Sequence, residues 1–431
     1  MGYESVDNGY MRFNQYRIPL FNILSKYVQV DENGNYSKPP HDKLSYGTMV
    51  FVRAMIIVGA ASTLAKAVTI AVRYSAVRKQ GYLMGAEKQG VEQTVLDFKL
   101  QQFRLFPLLA GVFALHFTGK YMKDFYENVT ESIRQGNFGK LAEVHATAAA
   151  LKSFSTSFVS DGIEECRKAC GGHGYLRVSG LVHLFADYVP ACTYEGDNYV
   201  LIQQTAKYLF KGCAKTDKDV SVSYLSEEPN PNLMKGQLNW RNHELQLHLL
   251  RLRSKRLLLE AFEYFNDLMT RQGLGYPEAW NKIQPLFPRL IRAHCNLSIA
   301  EYFITAVQDA QNDSSKHLYP VLNALCDFYI LYNIEKDMLD FLEDNLLTRK
   351  HFYRIRIQVQ DLMDEIRPNA VALVDSFNIS DHNLNSALGR YDGNVYEALL
   401  KSTELEPLNK TQVPDGYEEY IKPMVHPSSR L

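Results

Sequence analysis

The sequence carries almost no net charge, with 47 basic against 48 acidic side chains in 431 residues. Proteins that bind nucleic acids or anionic membrane surfaces usually show a basic excess, so neither partner is expected. Charge-free apolar runs are short as well: the longest, 54–65 and 105–119, fall below the roughly 18 residues of a spanning helix. Both runs are typical of buried core helices, and the composition predicts no membrane partner.

Cysteine is scarce and scattered along the chain. The six cysteines form no CxxC pair and no cluster with histidine, which argues against a disulfide framework and against a structural zinc site. The local signatures of phosphoryl transfer, nicotinamide dehydrogenases, serine hydrolases and zinc proteases are missing too. These absences favour a globular protein of a reducing, intracellular compartment, with no metal.

Apolar residues recur at helical spacing over most of the chain. The first long stretch, Gly47–Lys79, contains no proline and predicts one helix of about 50 Å at 1.5 Å per residue. Further helical stretches are predicted at 95–129 with a break at Pro107, 141–170, 196–210, 240–272, 280–311, 316–347 and 350–377. The polar segment 215–239 has the composition of a linker, so the pattern predicts two helical domains.

The opening segment, Val6–Pro19, shows a different pattern. Apolar Met11 and Phe13 alternate with polar residues, and Asn8-Gly9 favours a tight turn, so a short hairpin is predicted. An isolated pair of strands is marginally stable in water. We therefore interpret this hairpin as the remnant of a larger β-structure.

Two short segments contain residues suited to chemistry. Cys170–Tyr175 has three glycines in four residues after a predicted helix, and it is either a helix cap or a turn that a flat or phosphorylated ligand can approach closely. The second segment places Glu195 between Tyr194 and Gly196, at the start of a new helix. Its carboxylate is either a base in apolar surroundings or an acid that favours the helix dipole, and the residues alone leave both readings open.

Six ordered segments carry a resemblance to a known family. They are VDNGY (6–10), YGTMVFVR (46–53), IAVRYSAVR (70–78), ACGGHGY (169–175), CTYEGDN (192–198) and LGRYDGNVY (388–396). Together they closely resemble the peroxisomal acyl-CoA oxidases, within the wider acyl-CoA dehydrogenase superfamily. The resemblance runs over almost the whole chain.

The resemblance implies that Glu195 is the catalytic base, which removes the α-proton of a fatty acyl-CoA while the β-hydrogen leaves as hydride to FAD. O₂ then reoxidises the flavin, which gives H₂O₂ and a trans-2-enoyl-CoA. The donors that stabilise the thioester oxygen are implied to be the backbone N–H of Glu195 and a flavin hydroxyl. Arg53 is implied to lie at the mouth of the substrate pocket and to position the acyl-CoA.

For the cofactor, the resemblance implies that Arg78 reaches across the interface of a homodimer to the FAD pyrophosphate. A guanidinium suits this role because it offers charged, bidentate contacts to phosphate. Gln102 and the Gly171-Gly172 turn are implied to contact the adenosine half of FAD. Asn198 is implied to face the flavin.

Compared with that family, the sequence lacks the N-terminal helical domain and most of the β-domain. The expected fold is all-α, with two C-terminal helical-bundle domains preceded by a remnant β hairpin. We expect residues 1–25 to be the β-domain remnant, 26–214 the first helical domain with the catalytic glutamate, 215–239 the linker and 240–431 the second helical domain.

The last three residues, Ser429-Arg430-Leu431, differ by one basic residue from the peroxisomal Ser-Lys-Leu address. They predict a peroxisomal location and recognition by the import receptor. Two functions remain open at this point. One is an active FAD-dependent acyl-CoA oxidase that starts fatty-acid β-oxidation; the other is a catalytically silent truncated form that acts as a dimerisation or regulatory partner of an intact oxidase.

Overall fold

The computed structural model describes residues 2–3, 6–26, 28–38, 47–85, 88, 90–214, 220–312, 315–343 and 345–425. Within these residues helices predominate, and the one sheet has two short strands. The predicted all-α class with a hairpin ahead of the helices is therefore confirmed. The address at 429–431 lies outside the described residues.

The hairpin lies later in the chain than predicted. Strands β1 (Gln29–Val30) and β2 (Tyr36–Ser37) pair antiparallel, and the Asp31 carboxylate accepts hydrogen bonds from the backbone N–H groups of the turn between them. The described residues 6–26 contain no strand, so the placement at Val6–Pro19 was wrong. An Asn-Gly hairpin turn needs positive φ at both residues, and neither residue of Asn8-Gly9 adopts it.

The helices follow the predicted stretches closely. Before residue 215 the described α-helices are α1 (Gly47–Val77), α2 (Lys99–Arg134), α3 (Leu141–Ala169), α4 (Gly171–Tyr175), α5 (Leu181–Tyr188) and α6 (Asn198–Cys213). After residue 219 they are α7 (His243–Thr270), α8 (Tyr276–Ile283), α9 (Phe287–Asn312), α10 (Tyr319–Lys336), α11 (Met338–Leu342), α12 (Arg349–Ile366), α13 (Ala370–Asp375), α14 (Asp381–Leu384), α15 (Val395–Glu404) and α16 (Lys422–Val425).

Helix α2 runs straight through Pro107, where an interruption was predicted. A proline inside a helix costs about 3 kcal/mol because it removes a backbone donor and crowds the preceding turn. Pro107 lies in a segment of α2 that is buried along nearly its whole length, from Leu105 to Val112. Tertiary packing of this apolar segment outweighs the local preference of one residue.

Helix α1 is the central element of the first half of the chain. Its buried residues are mostly alanine, valine, isoleucine and leucine, and it packs against α2, α3 and α13. By length and composition alone, Met49–Val77 and α2 are apolar enough to cross a membrane, but 61% and 72% of their most apolar windows are buried inside the protein. Such burial is typical of core helices.

One buried cluster of apolar side chains extends through both halves of the chain. Helices α9 and α10 of the second half pack directly against α2, and α9 also contacts α6. Part of the predicted linker is a 3₁₀ turn, Val220–Ser226, whose residues Val222 and Tyr224 are buried. The division of the chain into two domains at 215–239 stays a prediction.

Arg73 attaches the C-terminal segment to α1. Its side chain is buried, donates from Nε to the Asp375 carboxylate at 2.9 Å and donates from Nη1 to the Gly389 carbonyl at 2.8 Å. Gly389 packs against Ile70 so closely that an added Cβ would lie 3.2 Å from the Ile70 Cα. These contacts bring the 388–396 motif to the C-terminal end of α1.

Small residues allow α1 and α2 to approach closely, which leads to a first prediction. A Cβ added at Gly119 on α2 would lie 3.0 Å from the backbone Cα of Val58, so Gly119→Ala should lower the free energy of unfolding by about 1–3 kcal/mol through overpacking. At Gly59 on α1 an added Cβ meets nothing within 4 Å. The matched control Gly59→Ala should therefore raise stability by up to about 1 kcal/mol in urea denaturation. Equal effects at both positions would contradict the close-packing explanation.

Candidate active site

Glu195 lies on a short turn between two helical elements. A 3₁₀ turn ends at Cys192, and α6 begins at Asn198 with the Asp197 side chain accepting a hydrogen bond from the Tyr199 N–H at 2.9 Å. Glu195 has φ +54° and Gly196 has φ +110°. A non-glycine residue in this region costs about 1–3 kcal/mol and persists only where its surroundings impose it. The turn is therefore held by contacts from outside itself.

Two buried cations hold this turn by its carbonyl groups. Arg53 on α1, 3% exposed, donates from Nε to the Glu195 carbonyl at 2.8 Å. Lys152 on α3, fully buried, donates from Nζ to the Gly196 carbonyl at 2.7 Å. Charged donors make stronger hydrogen bonds than neutral ones. The turn is thus fixed by two helices that are distant from it in sequence.

The functional groups of Glu195 itself remain available. Its side chain is half-buried, and among the described residues its carboxylate accepts no hydrogen bond and forms no ion pair. Its backbone N–H likewise has no acceptor in the described part of the chain. A positioned carboxylate and a free N–H donor on the same residue are the two groups that proton removal next to a carbonyl requires.

Burial changes the proton affinity of both cations. It lowers the pKa of Lys152 to about 8, with the nearby Arg53 charge acting in the same direction. It also lowers the pKa of Arg53, and the Glu195 carboxylate partly offsets that effect. Arg53 Nη1 is buried and has no hydrogen-bond partner within the described residues. This guanidinium therefore keeps one donor unused beside the Glu195 turn.

Lys152 was missed by sequence analysis. The only available signal was a single lysine after a run of three alanines and a leucine in the middle of an apolar helix. Such a lysine is usually assigned to a solvated helix face. Its contacts to the turn lie more than forty residues away in sequence and depend on how α3 and α6 pack.

Asn198 is used for internal bonding. It is 7% exposed, and its amide nitrogen donates to the Ser153 carbonyl at 3.2 Å, to Thr156 Oγ1 at 3.0 Å and to Ser157 Oγ at 2.9 Å. Its Oδ1 accepts a hydrogen bond from Lys152 at 3.1 Å. The amide therefore ties α6 to α3, and its predicted role towards the flavin stays a prediction.

An open cavity of about 420 Å³ lies beside the Glu195 turn. We call it the α1 cavity, because α1 contributes half of its lining, including Val52, next to Arg53, and Gly59. Helix α5 and Tyr194 form the opposite wall. The lining is predominantly apolar, and its volume lies within the usual range of small-molecule sites. The cavity reaches Val52 and Tyr194, the chain neighbours of Arg53 and Glu195, and suits an apolar chain.

A second cluster lies at the other end of α1. Arg78 donates from Nη1 to the Tyr396 hydroxyl at 3.0 Å, which raises the pKa of the arginine. Tyr396 contacts the ring of His173, and the Tyr74 hydroxyl lies 2.8 Å from His173 Nδ1. The cluster joins α1, the glycine-rich helix α4 and α15. Tyr396 and Tyr74 were not singled out from the sequence, because only the fold brings them to Arg78.

The paired glycines of this cluster face open space. An added Cβ at Gly171, where φ is +61°, or at Gly172 would meet nothing within 4 Å. The chain is thus accessible at these two positions, beside a guanidinium that is only partly engaged. Gln102, in contrast, is 3% exposed and donates to the Leu96 carbonyl at 3.0 Å. Its Oε1 is buried without a partner among the described residues, so its predicted contact to adenosine stays a prediction.

Most of the predicted site residues therefore form two groups. Arg53, Glu195 and Asn198 lie at the Glu195 turn, and Arg78 lies with the paired glycines. The 24 positions from Arg53 to Val77 on α1 correspond to about 36 Å of helix. In the described residues no group of three or more histidine, cysteine or acidic side chains is arranged to hold a metal ion.

Two family models match most of the chain. A family model described as "Acyl-CoA oxidase, C-alpha1 domain" matches residues 46–210, and one described as "Acyl-CoA oxidase" matches residues 242–426. The chain belongs to the acyl-CoA oxidase family.

Individual oxidases show the same similarity over nearly the whole chain. Peroxisomal acyl-coenzyme A oxidase 1 of Rattus norvegicus is 42% identical over 98% of this chain and 65% of the relative. The solved structure of Arabidopsis thaliana acyl-CoA oxidase 1 has a TM-score of 0.86 at 40% identity, over 96% of this chain and 62% of that one. The structure of acyl-CoA oxidase-2 of Caenorhabditis elegans, bound with FAD, ascaroside-CoA and ATP, has a TM-score of 0.88 at 35% identity. The match covers 97% of this chain and 62% of that one. The chain thus spans less than two thirds of the length of these oxidases.

The burial of Lys152 predicts a specific pH dependence of stability. Its pKa is about 8 in the folded protein and about 10.5 when unfolded, so between these values the unfolded chain binds more protons. The free energy of unfolding of the wild type should therefore rise with pH, by up to about 1.4 kcal/mol per unit, relative to Lys152→Met. At pH 10 Lys152→Met should be less stable than the wild type by about 1–3 kcal/mol, because the Gly196 carbonyl and Asn198 Oδ1 lose their donor.

Urea denaturation of both proteins between pH 7 and 10 measures this difference. The matched control is Lys207→Met, at an exposed position on α6, whose difference from the wild type should not change with pH. A pH-independent difference for Lys152→Met would show that this lysine is not buried as described.

Proposed function

We propose that this chain carries the catalytic base of an FAD-dependent acyl-CoA oxidase, which converts fatty acyl-CoA to trans-2-enoyl-CoA and reduces O₂ to H₂O₂. This is the first step of peroxisomal fatty-acid β-oxidation. The observation that carries the proposal is the Glu195 carboxylate, which has no partner among the described residues and is held on a constrained turn beside the α1 cavity. Membership of the acyl-CoA oxidase family supports the same reaction.

In this proposal Glu195 removes a proton from the carbon next to the thioester carbonyl. That proton is weakly acidic until the carbonyl oxygen is stabilised, so a base and hydrogen-bond donors must act together. The N–H of Glu195, which has no acceptor in the described part of the chain, supplies one donor from the same residue. Arg53, with its unused Nη1, positions the substrate at the mouth of the α1 cavity. FAD, when bound, supplies the acceptor for the hydride and the subsequent reaction with O₂.

The cluster at the far end of α1 fits a phosphate-bearing cofactor. Gly171 and Gly172 leave room for a ligand to approach the backbone, and Arg78 offers a guanidinium held in place by Tyr396. Cations with fixed planar donors suit phosphate groups. We assign these residues to the FAD site, with the isolated amide oxygen of Gln102 as a further candidate contact.

The distance between the two clusters supports a homodimer. About 36 Å of helix separates Arg53 from the end of α1, so one protomer does not place Arg78 beside its own Glu195. Two copies related by a two-fold axis bring unlike ends of such a helix together. We therefore propose that Arg78 of one protomer serves the flavin that works with Glu195 of the other.

The proposed location is the peroxisome. Curated relatives, including those of rat and Arabidopsis thaliana, are named as peroxisomal enzymes. The Ser429-Arg430-Leu431 end resembles a peroxisomal address, which supports recognition by the import receptor.

Glu195→Gln tests the role of the base. The amide keeps the shape of the side chain but cannot accept the proton, so turnover of an acyl-CoA should fall by about 10²–10⁴-fold, measured as H₂O₂ release. The visible flavin spectrum of the purified variant should remain that of the wild type. The matched control Glu404→Gln, at an exposed position on α15, should keep full activity.

Full turnover by Glu195→Gln would refute its role. A colourless wild-type protein that co-purifies with an intact oxidase would instead favour the second function, a silent dimerisation or regulatory partner.

Subunit complementation tests the shared site. Glu195→Gln and Arg78→Ala should each be inactive alone, since each removes one half of every site. Random mixing makes half of the dimers heterodimers, each with one intact site of two, so activity should recover to about a quarter of wild type. If Glu195 and Arg78 act within one protomer, co-expression of the two variants would give no recovery.

A further inference from the structure

A second cavity lies away from the α1 cavity, between α3, α9 and α10. Its volume is about 350 Å³, and we call it the rear cavity. Phe154 and Phe158 of α3 form one wall with stacked rings, and Tyr329 and Tyr332 of α10 form another. It shares no lining residue with the α1 cavity. Aromatic walls and this volume suit a small apolar body.

Two cations line the rear cavity with donors to spare. Arg292 uses only Nε, which donates to the Asp337 carboxylate at 3.1 Å, and its two Nη atoms have no partner among the described residues. Lys336, at the end of α10, forms no hydrogen bond or ion pair in the described part of the chain. The two charges repel, and Arg292 adds to the effect of burial in lowering the pKa of Lys336, which Asp337 and Asp161 partly offset. A bound anion would relieve this repulsion.

The charges also limit the kind of anion that fits. Asp161 lines the same cavity, and Asp337 already neutralises part of the Arg292 charge. The remaining positive charge therefore suits a single negative charge better than a doubly charged phosphate. The aromatic walls leave room for an apolar chain behind the charged group.

We propose that the rear cavity binds an organic monocarboxylate with a straight apolar chain, such as a medium-chain fatty acid. The carboxylate lies between Arg292 and Lys336, and the chain lies against Phe154, Phe158 and the two tyrosines. Asn198 lines the same cavity and is hydrogen-bonded to Lys152, so the ligand lies next to the group that holds the Glu195 turn. This site is independent of the proposed oxidase activity.

Isothermal titration of the full chain with decanoate, below its micellar concentration, tests the proposal. Decanol and decyltrimethylammonium, which share the chain but lack the negative charge, should bind at least tenfold more weakly. Raised salt should weaken decanoate binding, because the charges near the mouth are screened. Equal affinity for decanoate and decanol would overturn the proposal without any variant being needed.

Variants then locate the binding site. Lys336→Met keeps an apolar stem without the charge and should weaken decanoate binding about tenfold, whereas Lys401→Met, at an exposed position on α15, should not. Ile202→Trp fills the rear cavity and should abolish binding. Gly59→Leu fills open space in the α1 cavity and should leave decanoate binding unchanged. Loss of decanoate binding in Gly59→Leu, with retention in Ile202→Trp, would place the ligand in the α1 cavity and refute the proposal.

Discussion

The arrangement of the Glu195 turn depends on two buried cations that each hold one carbonyl group. Arg53 and Lys152 donate to the consecutive carbonyls of Glu195 and Gly196. The backbone has positive φ at both residues, and among the described residues the N–H of Glu195 has no acceptor and its carboxylate has no donor. The strain of a non-glycine residue in this region is offset by charge-assisted hydrogen bonds made out of contact with solvent.

This arrangement depends on the packing of α1 and α3. Arg53 lies on α1 and Lys152 on α3, and each is more than forty residues from the turn in sequence. Glycines at the contacts allow the helices to approach closely; a Cβ at Gly162 on α3 would lie 2.9 Å from the side chain of Leu64 on α1. Packing of small residues therefore sets the separation of the two cations, and that separation sets the conformation of the turn.

Sequence periodicity predicted most of the helices, since each helix buries an apolar face that recurs at its own spacing. Helix α1 was predicted at 47–79 and found at 47–77, and Glu195 was found on a turn before a helix, as its motif indicated. The wrong predictions concern Pro107 and Asn8-Gly9, whose own residue types favoured a different conformation from the one observed. Pro107 remains helical because its surroundings are buried, and Asn8-Gly9 does not form a hairpin turn because neither residue takes positive φ.

The residues that sequence reasoning missed share one property: their partners are distant in the chain. Lys152 bonds to the Glu195 turn and Tyr396 bonds to Arg78, and no local pattern reveals either contact. In contrast, Asn198 was chosen for its place beside the base, and the structure shows its amide fully used in joining α6 to α3. A motif indicates which residues lie near a site, while the packing of helices decides which of them keep a free functional group.

The C-terminal segment is part of this packing and not an appendage. Arg73, near the end of α1, binds the Gly389 carbonyl, and Tyr396 accepts a hydrogen bond from Arg78, the residue that follows α1. Because these two contacts lie five residues apart at the C-terminal end of α1, the position of the 388–396 motif and the orientation of the Arg78 guanidinium are determined together. The same helix carries Arg53 near its other end. Helix α1, with 31 residues, therefore sets the spacing between the turn that bears the proposed base and the guanidinium proposed to bind the cofactor.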